Sequence, residues 1–165
     1  MNNVFDDRKD DYYLRIAEVV SSRATLSRRN VGCVLVDSIG RIIATGYNGT
    51  PRGYPNCTAA TPCPGSSCAS GEGLDRCEAV HAEQNALMQC PDVENIFTCY
   101  TTTSPCVHCV KMLLNTGTTR IVFRELYPQP ESEKIWMRQN RLLSTGRRRQ
   151  WVHLEHIDMI LRKKL

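Results

Sequence analysis

The chain has 165 residues, 21 Lys and Arg against 17 Asp and Glu for a net charge of +4, and nine cysteines. A length near 150 residues suits one domain that buries roughly 70% of its unfolded surface, so a core needs no disulfide staples. Nine thiols fall below the roughly 8 to 10% of small disulfide scaffolds, and an odd number cannot all pair, so a reducing compartment with some metal ligation is expected.

Asp6, Asp7, Asp10 and Asp11 exclude the cationic start of a secretory signal, and no apolar run reaches the roughly 18 residues of a membrane span. The expectation is a soluble, cytoplasmic protein with no membrane partner. Tyr13, Ile16, Ala17 and Val20 mark one face of a helix over residues 6–21. Val31 to Val36 and Arg41 to Tyr47 read as a hairpin around Asp37 to Gly40. Residues 48–75 fit no element and hold six Gly or Pro by Pro64, so they form a long loop insertion of the kind that carries function.

Ala79 to Cys90 reads as a helix stopped by Pro91, and Cys106 to Asn115 as another that Gly117 can end. Ile96 to Thr102 and Thr119 to Tyr127 are strands beside them. A helix over Glu131 to Leu143, a fifth strand over Trp151 to Glu155, and a short closing helix with Ile157, Ile160 and Leu161 follow. Strands alternating with helices predict the α/β class: one domain over residues 1–165, a three-layer α/β/α sandwich with a mixed sheet of about five strands.

The charge is unevenly placed: residues 1–119 hold 10 basic and 12 acidic side chains, residues 120–165 hold 11 and 5. Arg147 to Arg149 is a tight basic run with no aromatic platform interleaved, so nucleic acid is not an expected partner.

His81-Ala82-Glu83 opens one helix, and Pro105-Cys106-Val107-His108-Cys109 opens another. Two cysteines and one histidine suit tetrahedral zinc with a fourth position left to water, which distinguishes a catalytic site from a structural one. Glu83 is then the natural proton carrier. His108 is turned roughly 100° from Cys109 around the helix and should miss the metal. H-x-E followed by P-C-x-x-C is the signature of zinc deaminases.

Gly46-Tyr-Asn-Gly-Thr-Pro-Arg-Gly53, Cys77-Glu-Ala-Val-His-Ala-Glu-Gln-Asn-Ala-Leu87 and Thr101-Thr-Thr-Ser-Pro-Cys-Val-His-Cys109 resemble the deoxycytidylate (dCMP) deaminase family of the cytidine deaminase-like superfamily, over about residues 12–127. The resemblance implies hydrolytic deamination of dCMP to dUMP with release of ammonia, in the host cytoplasm for a phage-encoded member. It implies His81, Cys106 and Cys109 as ligands of one catalytic Zn2+, and Glu83 as the group that moves protons to N3 and the leaving amine. Ala82 would anchor the base carbonyl, Asn48 the deoxyribose, and Ser22, Arg23, Ser104 and Tyr127 the remaining contacts, including the 5′-phosphate.

Many members are hexamers activated by dCTP and inhibited by dTTP with Mg2+, so the resemblance also implies a homo-oligomer. It makes Asn48, Gly49 and Arg52 candidates for the regulatory nucleotide site. Cys57, Cys63, Cys68 and Cys77 either hold a second, structural Zn2+ or are free thiols, because their gaps lack the spacing of a strong zinc site. Cys33, Cys90 and Cys99 read as small buried hydrophobes. The rival functions are a deaminase of another cytosine substrate (dCTP, a nucleoside or single-stranded nucleic acid) and a zinc-stabilised module that only senses nucleotides.

Overall fold

The computed structural model describes residues 7–26, 28–69, 72–73, 76–138 and 148–155. Helix α1 (Asp7–Ser21) leads into the hairpin of β1 (Gly32–Val36) and β2 (Ile42–Tyr47). The hairpin turn is held by Asp37, whose carboxylate accepts from the amides of Ile39 and Arg41. Gly40 takes a φ of 91° there, a left-handed conformation that glycine adopts without steric cost. Beyond the long loop come α2 (Ala82–Gln89), β3 (Thr98–Thr103), α3 (Val107–Leu114), β4 (Arg120–Glu125), α4 (Pro130–Arg138) and β5 (Gln150–His153).

The five strands form one mixed sheet in the order β2-β1-β3-β4-β5. β1 is antiparallel to both β2 and β3, whereas the β3–β4 and β4–β5 pairs, each joined through a helix, are parallel. Alternation along each strand divides the core in two. Val34, Val36, Tyr100 and Val122 face Tyr13, Leu14 and Ala17 of α1. Cys33, Leu35, Cys99, Ile121 and Phe123 face Ala82 and Ala86 of α2, Val110 and Leu113 of α3, and Trp136 of α4. Helices therefore cover both faces, and the chain has the expected three-layer α/β/α architecture.

Boundaries differ from expectation where backbone pairing competes with helix. Helix α2 starts at Ala82 rather than Ala79, because Val80 exchanges both backbone hydrogen bonds with Gly49 and His81 stays extended. Cys33 and Cys99 are fully buried with sulfurs 3.6 Å apart, while Cys90 is half-buried at the end of α2. Residues 139–143 of the expected fourth helix, Arg147, and the closing helix with Ile157, Ile160 and Leu161 lie outside the described residues. Among the described residues no helix is long and apolar enough to cross a membrane.

Candidate active site

Two helix N-termini converge at the carboxyl end of β3. His81 caps α2 with its own amide held by Gln84 Oε1 at 2.9 Å, and Cys106 caps α3. His81 Nδ1 lies 3.4 Å from Cys106 Sγ and 3.5 Å from Cys109 Sγ, and the two sulfurs are 3.6 Å apart. Zn–S bonds of about 2.3 Å and Zn–N bonds of about 2.0 Å at tetrahedral angles separate sulfurs by roughly 3.8 Å and sulfur from nitrogen by about 3.6 Å. The observed triangle has nearly those edges, so its chemistry and its size both fit zinc. Among the described residues it is the one group of three or more potential ligands whose donor atoms all lie within 4.8 Å. His108 is exposed and outside it, turned away by the helical rotation between neighbouring residues.

The site is strongly polarised. The hydrogen bond from Cys109 and the neighbouring His81 pull the Cys106 thiol down to about 4, which favours its thiolate form. The same Cys106 contact, with burial, pushes Cys109 up, and the thiolate raises His81. Glu83 follows in the first turn of α2, 4% exposed, with Oε2 3.6 Å from Cys109 Sγ. Burial raises its carboxyl above the ordinary range, against the pull of His81. A buried acid with a raised pKa beside three potential metal ligands fits general acid–base catalysis.

A cleft of about 220 Å³ opens onto these groups. Asn48, Ala82, Ser104 and Tyr127 line it together with His81, Glu83 and Cys106. Ser104 Oγ accepts the Tyr127 amide at 2.7 Å. Ser22, Arg23, Gly49 and Arg52 are not in this lining. Ser22 and Arg23 sit exposed in the turn that ends α1, where the Ser22 hydroxyl donates to the Val19 carbonyl. Arg52 is exposed on the long loop, and Gly49 pairs with Val80.

The arginines that do line the cleft are Arg28 and Arg29. Arg29 stands 5.5 Å over the Tyr127 ring, and its buried Nη1 has no hydrogen-bond partner, whereas Arg28 donates to the carbonyls of Gly65 and Cys68. A basic residue before the first strand was the available signal, but order along the chain does not distinguish Arg29 from Arg23. Cys57, Cys63 and Cys77 also line the cleft, with the Cys63 amide donating to Cys57 Sγ at 3.1 Å.

Residues 7–125 match the family model described as the cytidine and deoxycytidylate deaminase zinc-binding region. The chain is 40% identical over 129 residues to a deoxycytidylate deaminase of Schizosaccharomyces pombe, covering 76% of this chain and 39% of that protein. It is 39% identical over 121 residues to the deoxycytidylate deaminase of Mycobacterium phage D29, covering 69% of this chain and 92% of that one. The chain thus spans about two-fifths of the yeast relative and nearly all of the phage relative. The crystal structure of dCMP deaminase from the cyanophage S-TIM5 in complex with dCMP and dUMP superimposes with a TM-score of 0.65 at 24% identity, over 91% of this chain and 99% of that one. With the His-Cys-Cys triangle and its neighbouring glutamate, these matches make the chain a member of the zinc-binding cytidine and deoxycytidylate deaminase family.

Proposed function

We propose that the chain catalyses the zinc-dependent hydrolytic deamination of dCMP to dUMP with release of ammonia, supplying dUMP for dTTP synthesis. The observation that carries this reading is the triangle of His81, Cys106 and Cys109 at zinc-ligand separations, with the buried Glu83 carboxyl 3.6 Å from one sulfur. The names of the relatives support the cytidylate substrate.

Zinc in this setting would supply Lewis acidity, lowering the pKa of a water from 15.7 to about 7. Glu83 takes a proton from the attacking water and delivers protons to N3 and the departing amine at C4. The Ala82 amide, at the first turn of α2, holds the base carbonyl. Asn48 binds the deoxyribose with the lone pair and N–H that its backbone bonds leave over. Arg29 and Tyr127, with Ser104 supporting Tyr127, take the 5′-phosphate in place of the expected Ser22 and Arg23.

The same reading includes a homo-hexamer activated by dCTP and inhibited by dTTP with Mg2+, the triphosphates acting near Asn48, Gly49 and Arg52. Ammonia release from dCMP, dCTP, deoxycytidine and an oligonucleotide, each with and without added dCTP or dTTP and Mg2+, tests both parts. Fastest release from dCMP supports the substrate, and faster release from the oligonucleotide or deoxycytidine overturns it. An unchanged dCMP velocity curve would sink the regulation. Metal analysis assigns the four loop cysteines: two zincs per chain make them a structural site, one leaves them thiols.

Glu83→Gln keeps the shape of the side chain but removes the exchangeable proton. It should retain zinc and fold while turnover falls by about 10²- to 10⁴-fold, the usual worth of a positioned acid–base group. Retention of most activity would remove Glu83 from the mechanism.

A further inference from the structure

The first amides of helix α3 need acceptors that the helix itself cannot supply. Its N-cap position usually carries a side chain that accepts one of the unpaired first-turn amides, and at Cys106 only the Cys109 amide, in that turn, helps to hold the sulfur. The Cys106 sulfur is directed to His81 and Cys109. A cap side chain reaches the second or third amide of a helix, which leaves the first amide of α3, that of Val107, in need of an acceptor from elsewhere.

The acceptor comes from another part of the chain. Gln129 Oε1 accepts the Val107 amide, the first of α3, at 3.2 Å. Gln129 is itself firmly seated: its amide donates to the Tyr127 carbonyl at 2.7 Å, and its carbonyl accepts from Ser132 in the first turn of α4. Two more bonds join the same segments, from the Ser104 amide to the Glu125 carbonyl at 2.8 Å and from the Tyr127 amide to Ser104 Oγ at 2.7 Å. The parallel pairing of β3 and β4 ends at Thr103 opposite Glu125. The three bonds extend it past the sheet, clasping residues 104–107, which carry Cys106, to residues 125–129, which carry Tyr127.

We infer that Gln129 is a positioning residue for the metal centre: by capping α3 from outside the helix, it fixes the backbone beside Cys106 while leaving the sulfur free for the ion. The inference rests on the reading of His81, Cys106 and Cys109 as zinc ligands. Partners one step removed from a metal commonly change its affinity or the activity by about 10- to 100-fold. Gln129 is half-buried, so a control for fold accompanies its replacement.

The test is zinc affinity, measured by competition with a chromogenic chelator, for the full chain, Gln129→Leu and Gln129→Glu. Leucine removes the acceptor and glutamate keeps it. The expected result is about tenfold or greater weakening in Gln129→Leu and values within about threefold of wild type in Gln129→Glu. Melting temperatures of the zinc-stripped proteins, which a merely structural role would lower, should agree. Equal zinc affinity in all three proteins overturns the inference, as does a Gln129→Leu loss that appears only in the zinc-free melting temperature. A wild-type chain that binds no zinc at all overturns the ligand reading itself, and is recognisable because all three titrations are then flat.

Discussion

Both ends of the Asn48 amide are bound to backbone: Oδ1 accepts from Val31 and Nδ2 donates to the Arg29 carbonyl, each at 2.7 Å. One buried side chain thereby sets the path of residues 29–31 and aims Arg29 at the cleft. An Arg nitrogen left buried without a partner is costly unless a ligand completes it. A hydrogen bond to a charged group is worth about 1.5 to 3 kcal/mol, roughly 10- to 150-fold in binding. Arg29→Ala should therefore raise the KM for dCMP by about tenfold or more while leaving the weaker turnover of deoxycytidine, which has no phosphate, near wild type. Equal loss on both substrates would place Arg29 elsewhere in the chemistry. The His81, Cys106 and Cys109 cluster was legible because its spacing is local and each part lies at a helix start. The tie between Asn48 and Arg29 was not, because it spans 19 residues and no periodic pattern reports such a bond.

At the scale of elements, the site depends on how closely α2 lies on β2. A Cβ on Gly46 would come within 2.2 Å of the Ala82 carbonyl oxygen and 2.4 Å of the Ala86 nitrogen, both backbone atoms that cannot move aside singly. The Gly46 position thus allows the helix bearing Glu83, and capped by His81, to seat against the sheet. Gly46→Ala should displace α2 as a unit, costing about 1 to 3 kcal/mol as overpacking does, and lowering zinc content with it. A thermal melt and metal analysis of the purified variant check this, and an unchanged melting temperature with full zinc would refute it. Helix and strand types were readable from periodicity, since each face of the sheet buries alternate residues. The start of α2 was misplaced because the Gly49–Val80 pairing, 31 positions apart, holds the preceding residues extended.

At the scale of the molecule, two of the arginines that make the later segment basic form an internal join. The net positive segment from residue 120 looks like a surface for anions when read linearly, yet Arg120, Arg124 and Arg149 are only 5–6% exposed. Arg120 pairs with Asp10 at 2.8 Å, and Arg124 with Asp11 at 2.6 Å and Glu18 at 3.0 Å. Arg149 lies over the Trp136 ring and donates to the Thr118 carbonyl. The acidic side chains of α1 thus bind two arginines of β4 across more than 100 positions, fastening α1 to β4 on the face opposite the His81, Cys106 and Cys109 cluster. Burial would raise the Asp11 carboxyl, but hydrogen bonds and charge from Arg124, with Arg15, outweigh it and hold the pKa below the ordinary value. A carboxyl depressed on folding adds stability above its unfolded pKa of about 3.9, and that contribution disappears as pH falls through the lower folded value. Denaturant titrations from pH 7 to pH 2 should show wild type losing stability steeply below about pH 4. Asp11→Asn should start less stable at pH 7, because Arg124 loses a buried partner, and should decline less over the same interval. Parallel curves for the two proteins would mean that the join between α1 and β4 does not depend on the ionised Asp11.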